Sequence, residues 1–389
     1  MSGGSKADPQ TAADLACVQS SKGLVEDSQR NYRGVQALRA VAASLVVLQH
    51  AISRWAGMSV RSPLGNVWGN GSAGVDIFFV ISGFVMVMSL PGLAGKKNKA
   101  GVFLWRRLTR IVPLYWGATT VKFALLKLLP SAAQHPVGTP WHLVASYLFI
   151  PARNGIGEVF PMMYEGWTLN YEMLFYVLFT LALALDVYPV VALAPCLTVL
   201  AVAGMLRPES WPAFTTLASP LVIEFLFGMI LAHVAMRRKL PGAAVAMLLL
   251  GAGFAALMTS PMGSAGLRIV TWGLPAGAMV AGAVALERKM GGYLPKWLLE
   301  AGDASYALYL SHALVMPVMT QQVLRRLPFH GVGALAVAIV LGFGVSYPVA
   351  LLIHRHLEKP LMKLLKSRRE KPRQAIPASA AVIVEETGR

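Results

Sequence analysis

Charge is scarce in this chain. Of 389 residues, 14% are charged and 56% hydrophobic, a balance that excludes an ordinary soluble domain. Acidic residues are the scarcer half: 18 Asp and Glu stand against 35 Lys and Arg, for a net charge of +17. On a soluble protein that excess would point to nucleic acid. Beside long apolar runs it marks the flanks of membrane spans, so no nucleic-acid partner is expected. There are two cysteines, Cys17 in a polar tail and Cys196 in an apolar run, so a disulfide framework is not expected. The polar N-terminal stretch lacks the basic start, apolar core and small-residue cleavage site of a signal peptide. Neither an internal repeat nor an inverted pair of interrupted helices is visible, which weighs against a transporter. With no His-Glu-x-x-His and no cysteine pair, the spacing announces no metal.

What the chain does have is apolar runs of about 20 residues, the length that crosses a bilayer as a helix. They predict an all-α polytopic membrane protein of about ten spans. The spans are 34–54, 73–91, 107–129, 168–186, 188–206, 218–236, 240–259, 267–287, 303–323 and 332–354. With both termini in the cytoplasm, 26 of the 35 Lys and Arg fall on the cytoplasmic side, as the positive-inside rule requires. The chain then divides into a cytoplasmic polar tail (1–33), a transmembrane domain (34–354) and a basic cytoplasmic tail (355–389). His354 and His356 read as solvated residues at the start of that tail. The apolar stretch Trp141–Ile150 is too short to span easily and would flip every later loop if it did. It is expected to be an interfacial or re-entrant piece on the outer side.

Ionisable residues inside such spans are costly and often functional. Arg39 and His50 lie eleven residues apart in the first span, so on a helix they share one face, roughly 16 Å apart. Arg39 reads either as a snorkelling anchor or as a ligand cation. His50 reads either as a packed histidine or as a proton acceptor near neutral pH. Arg107 and Arg110, spaced i, i+3 at the start of the third span, suit lipid phosphate and topology or a clamp on a polyphosphate. Gly74–Phe84 opens the second span, with Asp76 in a position compatible with the helix dipole and Gly83 suited to close packing. It is neither a phosphate loop nor a nucleophile elbow. Glu172 and Tyr176 are one turn apart, close enough to bond, and Glu224 enters the sixth span at comparable depth. Ser305, Tyr309 and His312 follow i, i+4, i+7 and share a face, for interhelical hydrogen bonds or for substrate.

Taken in order, these pieces resemble acyltransferase family 3, a family of integral membrane acyltransferases. Arg39 and His50 match its basic residue–ten residues–histidine element. Gly74–Phe84 is similar to its Gly-Val-Asp-hydrophobic-Phe-Phe-x-x-Ser-Gly-Phe signature, and Arg107-x-x-Arg110 before Pro113 to its helix-3 motif. Trp167–Tyr176 and Ser305–His312 match two further blocks, and Glu358-Lys359-Pro360 resembles its C-terminal ending. The resemblance covers about residues 31–365. Gly166–Glu172 leans toward the exopolysaccharide O-acetyltransferase branch.

The resemblance implies transfer of an acyl group, usually acetyl, from cytoplasmic acetyl-CoA to a hydroxyl. The acceptor would be an exopolysaccharide, a lipopolysaccharide or a lipid-linked glycan, and the setting a bacterial inner membrane. Polysaccharide-assembly proteins are conceivable partners beside the lipid bilayer. Arg39, Arg107 and Arg110 would hold the donor; His50 would act as general base, with Glu172 and Asp76 orienting it or the sugar. A transient acyl-histidine stays open. Tyr176, Glu224, Ser305, Tyr309 and His312 would line the acceptor site. The rivals are a non-catalytic glycan or lipid transporter or flippase, and the same enzyme type carrying succinyl.

Overall fold

The computed structural model describes residues 32–58, 68–128, 138–208, 210–261, 265–322, 326 and 331–367. Among them every regular element is helical, and the only β pairing is an isolated bridge between Arg153 and Val159. The helices are α1 (Arg33–Met58), α2 (Gly74–Met88), α3 (Lys99–Leu128), α4 (Pro140–Tyr147), α5 (Trp167–Ala184), α6 (Pro189–Leu206) and α7 (Val222–Met236). They continue as α8 (Ala243–Thr259), α9 (Ala265–Arg268), α10 (Leu274–Met290), α11 (Lys296–Asp303), α12 (Ser305–Gln322), α13 (Gly331–Ile353) and α14 (Lys359–Ser367). Two π turns, Ile269–Gly273 and His354–Glu358, join α9 to α10 and α13 to α14.

Each of the ten predicted stretches falls on a helix. Among the described residues, seven helical segments are long and apolar enough to cross a membrane. This is a multi-pass membrane protein. The stretches outside the seven have physical reasons. The 30-residue α3 carries its charge inside the helix, beginning at Lys99 rather than at 107, while α8 and the apolar part of α12 are short.

Backbone contact sets the core. A Cβ at Gly83 would collide with the Phe225 carbonyl, and one at Gly228 with the Val80 carbonyl, so α2 and α7 touch without side chains between them. Around that seam run the stacked or tilted rings of Phe79, Phe225 and Phe175, with centroids 4.7 and 4.5 Å apart. A second helix pair, α1 and α12, also packs together and carries Arg39, His50, Ser305, Tyr309 and His312.

Among the described residues, the interval after α3 holds no helix long enough to span. Its helix α4 has eight residues, about 12 Å of rise, and is capped by Thr139, whose hydroxyl accepts from the His142 amide at 3.2 Å. Tyr115 donates to the Ser146 carbonyl (3.1 Å) and Trp116 to the Tyr147 carbonyl (2.8 Å), fastening α4 to α3. The chain then returns through a left-handed Phe149 (φ 58°) and Gly157 (φ 86°) to a single turn, Tyr164–Gly166, at the head of α5. That return delivers Glu165 into the bundle, where it is buried.

Candidate active site

The two polar stripes read from the sequence face each other. Arg39 Nε donates to Ser305 Oγ at 3.2 Å. At the other end the rings of His50 and His312 meet edge-on, centroids 5.0 Å apart. Helix periodicity explains both contacts: eleven residues on α1 and seven on α12 return each side chain to its starting face. Between them Tyr309 sits 3.0 Å from Thr168 Oγ1, and its hydroxyl donates to the Glu165 carbonyl at 3.1 Å. The Arg39 guanidinium is thus engaged by α12 within the bundle.

The histidine end has a definite tautomer. His50 Nδ1 lies 2.9 Å from the Val46 carbonyl and His312 Nδ1 2.9 Å from the Leu308 carbonyl. A carbonyl only accepts, so in the neutral ring each Nδ1 carries the proton and each Nε2 the lone pair. His50 Nε2 faces Glu165 Oε1 at 3.9 Å, too far for a direct hydrogen bond and close enough to stabilise an imidazolium. His50, Glu165 and His312 each offer a ligand atom, all within 4.8 Å of one another. Two imidazoles with carbonyl-bound Nδ1–H groups and one carboxylate can hold a divalent metal, or can share a proton. His312 and Glu165 are buried, whereas the His50 side chain is 29% exposed, which leaves it open to a second reactant.

From Arg39 to Tyr309 a narrow channel of about 100 Å³ runs between α1, α2, α3, α5 and α12. Arg39, Arg107, Arg110, Glu172, Tyr176, Ser305 and Tyr309 line it, seven of the eleven residues singled out from the sequence. Glu172 Oε1 accepts from Ser82 Oγ (2.8 Å) and from the Tyr176 hydroxyl (2.6 Å), which locks that carboxylate into the wall. Arg107 lies over the Phe103 ring, 5.4 Å from its centroid, and so keeps its head at the channel end. Arg107 and Arg110 also line a wider chamber of about 650 Å³ at the same end. A thin chain fits the channel, and a body of nucleotide size fits the chamber.

Asp76 and Glu224 lie elsewhere. Arg268 holds both Asp76 oxygens, Nε to Oδ1 at 3.0 Å and Nη2 to Oδ2 at 2.7 Å, while stacking on Trp272 at 4.8 Å. Glu224 sits beside this pair, fully buried against Gly273. Asp76 is thus committed to a buried ion pair rather than to His50. The carboxylate beside His50 is Glu165, not Glu172 or Asp76. Glu165 lies one residue before the Gly166–Tyr176 block, and its place at the head of a span is its signal in the sequence. His354 is likewise not solvated. It is 3% exposed, with Nδ1 2.7 Å from Glu358 Oε2, because the π turn winds it back against the bundle instead of releasing it to solvent.

Comparison with known proteins identifies the family. Residues 32–355 match the family model described as "Acyltransferase domain". The exopolysaccharide production protein ExoZ of Rhizobium meliloti (strain 1021) is 34% identical over 316 residues, 77% of this chain and 92% of that protein. The acyltransferase MdmB of Streptomyces mycarofaciens is 27% identical over 373 residues, 85% of this chain and 92% of that protein. No solved structure matches. The chain belongs to acyltransferase family 3, and it is a membrane O-acyltransferase.

Proposed function

We propose that this enzyme moves acetyl from cytoplasmic acetyl-CoA to a hydroxyl of a bacterial exopolysaccharide or its lipid-linked precursor at the inner membrane. The observation that carries the reading is the channel that leads from the arginine-lined chamber to Tyr309, whose hydroxyl bonds the backbone of Glu165, the acid that faces His50. In the expected ten-span arrangement with cytoplasmic termini, the basic end faces the cytoplasm, where acyl-CoA donors are found. Phosphates rest in the chamber against Arg107 and Arg110, and the pantetheine arm threads past Arg39 and Tyr176. The thioester reaches the histidine end. His50 Nε2 takes the proton of the acceptor hydroxyl as its oxygen attacks the thioester carbonyl. The C–S bond breaks, and the proton passes from the imidazolium to the leaving thiolate. Glu165 stabilises the imidazolium in between. The carbohydrate acceptor is supported by the resemblance to the exopolysaccharide production protein and by the open flank of His50.

Mass spectrometry of the host polysaccharide, with the protein present and deleted, tests this. Loss of one acetyl per repeat is expected. Loss of succinyl would change the donor, and unaltered decoration would contradict the reading.

A further inference from the structure

One cluster remains outside the steps above. His354, Glu358, Lys359 and Met362 line the chamber beyond Arg107 and Arg110, on a stretch that the sequence reading placed at the start of the basic cytoplasmic tail. Three observations make it a built site. A π turn, costly unless it serves something, reverses the chain at 354–358. His354 is 97% buried, since 3% is exposed, and lines the chamber with Nδ1 held by Glu358 and Nε2 without a hydrogen-bond partner among the described residues. A buried polar atom left without a partner is costly, so a ligand atom is the natural partner for Nε2. Lys359, next after Glu358, lines the same chamber as Arg106, Arg107 and Arg110. Against these four cations stand only Asp303 and Glu358, the latter already engaged by His354.

We infer that this chamber binds the phosphorylated nucleoside end of the acyl donor, with His354 and Lys359 as contact residues alongside the arginines. The inference rests on the donor reading above and adds to it that the C-terminal turn is part of the donor site. Its volume, about 650 Å³, suits a nucleotide, whereas the channel of about 100 Å³ admits only the arm. Glu358 holds the His354 ring in place and is a positioning residue.

The full-length protein in lipid nanodiscs supplies the test. Binding of acetyl-CoA, 3′,5′-ADP and S-acetylpantetheine is measured for the wild type, Lys359→Ala and His354→Gln. Lys359 is exposed, so its truncation leaves the fold intact. Wild type is expected to bind 3′,5′-ADP in competition with acetyl-CoA. Each variant should weaken both about tenfold, the worth of one charge-assisted contact, and leave S-acetylpantetheine unchanged. Wild-type affinity for 3′,5′-ADP in both variants, with acetyl-CoA still bound, would overturn this inference alone. Equal weakening of S-acetylpantetheine would also overturn it, as a general distortion. A wild type that binds neither nucleotide would remove the donor reading itself.

Discussion

Glu165→Gln isolates the carboxylate beside His50 with almost no change of shape. At 3.9 Å from Nε2, with an effective dielectric near 20, a full charge is worth about 4 kcal/mol to the imidazolium. The His50 side chain is 29% exposed, and solvent screening reduces that to about 2–3 kcal/mol. The expected result is a fall in kcat of about 10²-fold. KM for acetyl-CoA should hold, because the donor cations lie at the other end of the channel. The Glu165 carbonyl, which accepts from Thr168 and Tyr309, is backbone and survives the substitution, so the turn should keep its place. The assay is steady-state transfer of labelled acetyl by the purified protein, with thermal stability measured in parallel. A wild-type kcat in a folded Glu165→Gln protein would refute the electrostatic argument. A raised KM with unchanged kcat would move Glu165 to donor binding.

Other expectations follow from the same structure. Asp76→Ala leaves Arg268 buried without its bidentate partner and should destabilise the protein by about 3–5 kcal/mol, read as a lowered Tm, with Asp76→Ala/Arg268→Met recovering part of it. Gly228→Leu drives a side chain into the Val80 carbonyl and should prevent α2 and α7 from closing, seen as aggregation on size-exclusion chromatography in detergent. Exhaustive dialysis against EDTA should leave the rate unchanged under the proposed mechanism, in which His50 Nε2 acts as a base. A lost rate restored by zinc would instead make His50, Glu165 and His312 a metal centre.

Much of the site was legible because helices are periodic. Arg39 with His50, and Ser305 with Tyr309 and His312, could be set on common faces by counting, and the pairing of the stripes follows once α1 and α12 pack. The bond between Glu172 and Tyr176 was legible for the same reason. Glu165 was not: it lies in an irregular return after α4, where no period constrains a side chain. Arg268 was passed over because its partner, Asp76, is 192 residues away and spacing carries no such information. His354 escaped because a π turn adds a residue to the helical period and rotates the faces that follow.

The central claim is covalent transfer at His50, and reconstitution tests it most directly. Purified protein in proteoliposomes receives acetyl-CoA labelled in its acetyl group, and a glycan acceptor with free hydroxyls is supplied. Label should appear on the glycan with wild type, and His50→Ala should abolish it while leaving acetyl-CoA binding in place. Glycan movement across the bilayer without label, or transfer by His50→Ala at the wild-type rate, would contradict the account.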